Sequence, residues 1–111
     1  MKLDIRFRGL DSSASLREHA MRRMQAHLAR YRRELSSLVV RVVDDNGPKG
    51  GVDKRCQITV RGPRVGCASI EERSPDVYAA VDVAVERLAR TLGRGVERAR
   101  ETVTMGAARA R

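Results

Sequence analysis

Arginine is the residue type through which this chain can act on a partner. It carries 20 arginines and 3 lysines against 14 carboxylates, a formal net charge of +9 in 111 residues. A guanidinium is always charged and presents a planar fork of donors that matches phosphate oxygens. A GC-rich genome would also favour arginine over lysine, but it would not produce the net charge. Such an excess points to a polyanion: RNA, DNA or an anionic membrane surface. The spacing adds to this. Arg87, Arg90, Arg94 and Arg98 recur at intervals of three, four and four, which places them on one face of a helix. Arg22, Arg23, Arg30 and Arg33 form a second set, and Arg55 and Arg61 alternate with apolar residues, with Arg64 in the adjoining turn. One basic stripe is ordinarily just a solvated face. Two stripes and a large net charge favour phosphate contact, in which each neutralised phosphate releases counterions and makes affinity steeply salt-dependent.

Other reactive side chains are sparse. His19 and His27 lie two helical turns apart, and Cys56 and Cys67 are the two cysteines. Neither a C-x-x-C nor an H-x-x-x-H spacing is present, so no zinc or other metal is expected. The cysteines are expected on a shared sheet face as buried, reduced packing residues. Asp44, Asp45 and Asp53 surround the segment DNGPKGG, without the ligand spacing of a calcium loop. Lys49-Gly50-Gly51 is not a phosphate-binding loop of the nucleotide-binding type. No nucleophile sits beside a base, so no catalytic residue, cofactor or small-molecule substrate is expected, and the chain reads as a binding protein rather than an enzyme. Its three aromatics are Phe7, Tyr31 and Tyr78. The first two fall on apolar faces, and Tyr78 is expected to be half-buried in the first turn of its helix. With no platform for stacking bases, binding should read RNA backbone and shape.

The elements that would position these residues follow from periodicity. Leu3 to Phe7 alternates apolar and polar residues as a strand does. Leu16, Ala20, Met24, Leu28, Tyr31 and Leu35 recur at helical spacing, predicting a helix from Ser15 to Glu34, with Ser13 or Ser15 as cap and Glu18 completing a capping box. Leu38 to Asp44 is rich in valine and reads as a strand. Cys56, Ile58 and Val60 mark a third strand, broken by Gly62-Pro63, and Val65 to Ile70 a fourth in a hairpin with it. Ser74-Pro75-Asp76 predicts a helix start with Ser74 as cap. Val77, Val81, Ala84, Val85, Leu88 and Leu92 form its apolar stripe. It should stop at Leu92 with Gly93 as cap or fray towards Arg100. The fold class is α+β, in the order β-α-β-β-β-α, a four-stranded sheet with two helices packed on one face. Residues 1–100 should form one RNA-binding domain and 101–111 a flexible basic tail. No apolar run is long enough to span a bilayer and no signal peptide is evident, so a cytoplasmic location is the expectation.

Asp76-Val77-Tyr78-Ala79-Ala80-Val81-Asp82, followed by Ala84-Val85-Glu86-Arg87-Leu88, resembles a signature of the bacterial ribosome hibernation-promoting factors. That family includes the ribosome-associated inhibitors and the sigma-54 modulation proteins. Leu16-Arg17-Glu18-His19 is similar to the start of the family's first helix. The resemblance covers residues 1 to 98 and implies a translation inhibitor that binds small-subunit ribosomal RNA between head and body, occluding the mRNA and tRNA sites on idle ribosomes. It also implies rRNA contacts from Arg22, Arg23, Arg30, Arg33, Arg87, Arg90 and Arg94. The chain resembles the short type, without a ribosome-pairing domain, and a monomer is expected. Its Asp45–Arg55 loop differs from the usual family loop, and Gly9-Leu10-Asp11 stands where the family has basic residues. A general RNA-binding module of the same fold, recognising RNA backbone and shape, is the alternative.

Overall fold

Four segments whose side chains alternate between two faces build the sheet. The computed structural model describes residues 2–8, 14–44, 54–63 and 65–109, with side chains described as far as Gly95. The strands are β1 (Lys2–Arg8), β2 (Ser37–Asp44), β3 (Lys54–Gly62) and β4 (Gly66–Ser74), arranged in the order β1-β2-β3-β4. β1 runs parallel to β2, and the other neighbours are antiparallel. A parallel pair needs a long crossover. Here α1 (Ala14–Leu28) and a following 3-10 segment (Ala29–Glu34) supply it. The last helix, α2 (Val77–Arg109), completes the order β-α-β-β-β-α.

The register gives the sheet two unlike faces. Ile5, Leu38, Val40, Val42, Cys56, Ile58 and Val60 turn inward and are buried. Leu16, Ala20, Met24 and Leu28 of α1, and Val81, Ala84, Val85, Leu88 and Leu92 of α2, cover them in one continuous core. α2 lies against β3 and β4, and α1 packs alongside α2. The other face of the sheet has no layer over it among the described residues and is polar, as expected of a two-layer fold.

Several local expectations are corrected. The predicted helix from Ser15 to Glu34 is α-helical only to Leu28; its last six residues wind as a 3-10 segment, which closes on the Leu35 N–H donating to the Arg32 carbonyl at 3.4 Å. Leu35, extended at φ −113°, ψ 126°, then turns the chain into β2 while staying in the core. Ser15 lies inside α1 rather than capping it, and Ser13 is outside the described residues. At α2 the cap is Asp76, not Ser74. The Tyr78 N–H donates to Asp76 Oδ1 at 3.0 Å, and the first helical bond runs from the Ala80 N–H to the Asp76 carbonyl. Ser74 ends β4, which is longer than predicted, and its Oγ accepts from the Asp76 N–H. α2 does not stop at Leu92: it continues through Gly93 and Gly95 to Arg109 and takes in 101–109. Single glycines cost a helix about 1 kcal/mol each, which Leu88 and Leu92, fully buried just before them, offset by packing.

The cysteines also part company. Gly62 pairs with Gly66, so Cys67 faces Arg61 and Cys56 faces Glu72. Cys56 is therefore on the inner face and buried, whereas Cys67 is on the outer face and exposed. The predicted shared face fails because the turn length sets the parity of the register. Burial pushes the Cys56 thiol up from 9.0 to about 12.

Candidate nucleic-acid interface

The predicted basic residues fall into three environments. The first is the seam between α1 and α2. Arg23 Nε lies 3.0 Å from Asp82 Oδ1 and its Nη2 3.1 Å from Glu86 Oε1. His19 Nε2 lies 2.6 Å from the same Asp82 oxygen, and its ring meets Tyr78 edge-on at 4.9 Å. Arg23 is thus engaged within the molecule. Arg87 is engaged as well, paired with Glu72 of β4 and donating to the Glu71 carbonyl at 3.3 Å. Both arginines fit their partners because the partner elements converge there, which spacing along one helix could not reveal.

The second environment is a groove of about 400 Å³ between the end of α1 and the middle of α2. His27, Arg30, Tyr31, Arg90, Gly93 and Arg94 line it. The Arg30 guanidinium sits 5.8 Å from the Tyr31 ring centre. Gly93 leaves room for the phenol: a β-carbon there would come within 2.9 Å of the Tyr31 hydroxyl. Arg30, Arg90 and Arg94 are exposed, and no carboxylate of the described residues pairs with them. Arg22 and Arg33 are exposed on the same helical layer outside the groove. Tyr78 is 37% exposed.

The third environment is the open face of the sheet, which holds Arg55 and Arg61. There they join Arg6, Arg8, Arg41 and Arg73, basic residues absent from the sequence-based set. Their alternation within each strand was visible; their convergence required the strand pairing. Arg64 lies outside the described residues, as do the Asp45–Asp53 part of the loop and the Arg98 side chain. Asp44, which the sequence placed in a possible cation loop, instead holds Lys54 at 3.2 Å. Among the described residues no group of three or more His, Cys, Asp or Glu side chains could hold a metal ion, and no helix is long and apolar enough to cross a membrane.

The geometry also explains the Asp76–Asp82 segment. Asp76 caps α2, Ala80 and Val81 enter the core, and Asp82 ties α2 to α1 through His19 and Arg23. The segment builds the scaffold that aims the groove.

Comparison with known proteins agrees with this geometry. The profile of the family described as sigma 54 modulation protein / S30EA ribosomal protein matches residues 3–100. Among solved structures, a ribosomal subunit interface protein from Coxiella burnetii superposes with a TM-score of 0.72 at 21% identity, covering 85% of this chain and 96% of that one. The N-terminal domain of Protein Y from Thermus thermophilus superposes with a TM-score of 0.67 at 29% identity, covering 85% of this chain and 98% of that one. No curated protein matches the chain. The chain belongs to the sigma 54 modulation / S30EA ribosomal protein family, whose members associate with the ribosome.

Proposed function

We propose that this protein is a cytoplasmic, hibernation-type translation inhibitor that binds small-subunit ribosomal RNA through the α1–α2 groove and occludes the mRNA and tRNA sites. One observation carries the reading: three exposed arginines, Arg30, Arg90 and Arg94, converge on one groove and none has a carboxylate partner among the described residues. Arginines placed for stability usually resemble Arg23 and Arg87, which have acidic partners a few ångströms away. Uncompensated guanidinium groups around a concavity are suited to a phosphate backbone. Among the described residues, the rings lining the groove are those of His27 and Tyr31, and the Tyr31 ring packs partly on the core, so contacts should be to backbone and shape rather than to base edges. The protein acts as a monomeric wedge, with residues 1–100 as the RNA-binding unit and no covalent step, cofactor or small-molecule substrate.

The test is co-sedimentation of the purified protein with small ribosomal subunits at physiological salt, with naked duplex RNA as competitor. Co-migration that the RNA does not displace, abolished on replacing Arg30, Arg90 and Arg94 together by Glu, is the expected result. Binding that duplex RNA strips away would instead assign a general RNA-binding module. Unchanged binding of the triple variant would reject the groove.

A further inference from the structure

We propose that the free protein pairs with a second copy of itself along β1, the two strands running antiparallel about a two-fold axis at Ile5, so that two four-stranded sheets join into one. The groove described above and this edge lie on opposite flanks of α1, so the pairing stands independently of the RNA reading. It describes the protein before a single copy meets RNA.

β1 is an edge strand of seven residues, and among the described residues no strand pairs with its outer side. An open edge of this length is a template for another strand. The opposite edge is blunted, because Arg87 donates to the Glu71 carbonyl of β4. In a parallel pair, alternate residues turn both backbone groups to the neighbour. The Lys2 N–H donates to the Ser36 carbonyl at 3.0 Å, so Lys2, Asp4, Arg6 and Arg8 bond to β2. Leu3, Ile5 and Phe7 therefore present their N–H and C=O groups to the open edge. In an antiparallel partner centred on Ile5, Leu3 meets the partner's Phe7 and Ile5 meets the partner's Ile5, and these pairs exchange both backbone hydrogen bonds. Asp4 then falls opposite the partner's Arg6 at the closer, non-hydrogen-bonded spacing.

The strand is self-complementary in that register. Asp4 and Arg6 hold each other at 2.8 Å within one strand. The two-fold sets each Asp4 against the partner's Arg6 as well, and opposite charges in directly opposed positions stabilise a sheet. Sliding the register by two residues in either direction brings Asp4 against Asp4 or Arg6 against Arg6. The like charges of Lys2 and Arg8 meet only at the two ends of the pairing. Apolar shape matches too. Between α1 and the start of β1, Leu3, Met21, Met24, Leu28 and Leu38 line an apolar hollow of about 450 Å³. Phe7, at the other end of the strand, is half-buried, with the Arg17 guanidinium 5.4 Å from its ring centre. Antiparallel pairing sets each Phe7 beside the partner's hollow, where methionines adapt to an incoming ring. An interface in which the same patch serves both copies closes at two.

The experiment is sedimentation equilibrium of the full chain over a wide range of protein concentration. Each copy carries a net charge of +9, and physiological salt screens that repulsion beyond about 8 Å, so the measurement is made there. The apparent mass should rise with concentration from 12.4 kDa towards twice that value. Asp4→Arg and Arg6→Asp, made singly, should each weaken the dimer by at least about tenfold, because each exchanges two cross-strand attractions for two repulsions. The two changes move the net charge in opposite directions, so a loss common to both cannot come from overall charge. Combined in one chain, they put opposite charges back across the axis and should restore dimerisation to within about threefold of wild type. Circular dichroism should match wild type in all three variants, since the Arg6 and Asp4 side chains are 60% and 44% exposed. A mass of 12.4 kDa at every concentration would overturn the proposal. So would a dimer that either single reversal leaves intact, or one that the combined variant fails to recover.

Discussion

Gly62 is the position at which one methyl group should do the most damage. A β-carbon built there would collide with the carbonyl oxygen of Glu34 and come within 3.2 Å of Leu35 Cα. Those are backbone atoms at the end of the 3-10 segment, where the crossover enters β2, and they cannot swing aside as a flexible side chain would. To make room, the Glu34 peptide must move away from the end of β3. That movement strains two hydrogen bonds to the Arg61 carbonyl, one from the Ser36 N–H at 2.7 Å and one from Ser36 Oγ at 3.1 Å. At about 1 kcal/mol each, and with at least about 1 kcal/mol for loosening the buried Leu35, Gly62→Ala should cost about 3 kcal/mol. For a domain near 100 residues that corresponds to a fall in Tm of about 12–24 °C. Gly66→Ala is the internal comparison. Nothing lies within 4 Å of its would-be β-carbon, and its φ of 68° is left-handed, which costs a non-glycine residue about 1–2 kcal/mol. Thermal unfolding followed by circular dichroism should therefore rank wild type above Gly66→Ala and Gly66→Ala above Gly62→Ala. If Gly62→Ala proved no worse than Gly66→Ala, the close approach of the crossover to β3 would be refuted.

Other outcomes rest on the same packing. A thiol reagent at neutral pH should modify Cys67 and spare Cys56 in the native protein, read by mass spectrometry; Cys56 labelling at the rate of Cys67 would contradict its burial. Because the folded Cys56 holds its proton from pH 9.0 to about 12 while the unfolded thiol loses it, its contribution to stability is complete below pH 9.0 and falls away above it by about 1.4 kcal/mol per pH unit. Urea titrations should show that part of the alkaline decline missing in Cys56→Ala. At the helix seam, a double-mutant cycle between Arg23→Ala and Asp82→Ala should give a coupling of about 0.5–1 kcal/mol, since both side chains are about one-third exposed and solvent screens the pair; a coupling of zero would mean the seam is not held by this pair. Gly93→Ala should weaken RNA binding by pushing the Tyr31 phenol into the groove without altering the salt slope, because no charge is removed; anisotropy titrations at several salt concentrations would reveal a changed slope if that were wrong.

Ribosome association follows from the family. Arg23 and Arg87, both among the expected RNA contacts, pair with carboxylates of other elements of the fold. Arg30, Arg90 and Arg94, by contrast, have no carboxylate partner among the described residues. Charge reversal at Arg87 should therefore appear first as reduced stability, whereas reversal at Arg90 and Arg94 should appear first as weakened binding.

Element type and order were legible in the sequence, because both rest on local periodicity. Leu38, Val40 and Val42 alternate, Leu16 to Leu28 and Val81 to Leu92 recur at helical spacing, and all of these are buried. The same periodicity placed Arg30, Arg90 and Arg94 away from the core. Properties that depend on register or on meetings between distant segments were decided only by the tertiary structure. One residue of turn parity between Gly62 and Gly66 sends Cys67 to the outer face. Asp82 reaches His19 and Arg23 across more than half the chain, converting a basic residue from a ligand candidate into a strut. The convergence of Arg6, Arg8, Arg41, Arg55 and Arg73 comes from strand pairing that no window of sequence contains. Periodicity records which way a side chain points from its own backbone; only the packed fold determines what it points at.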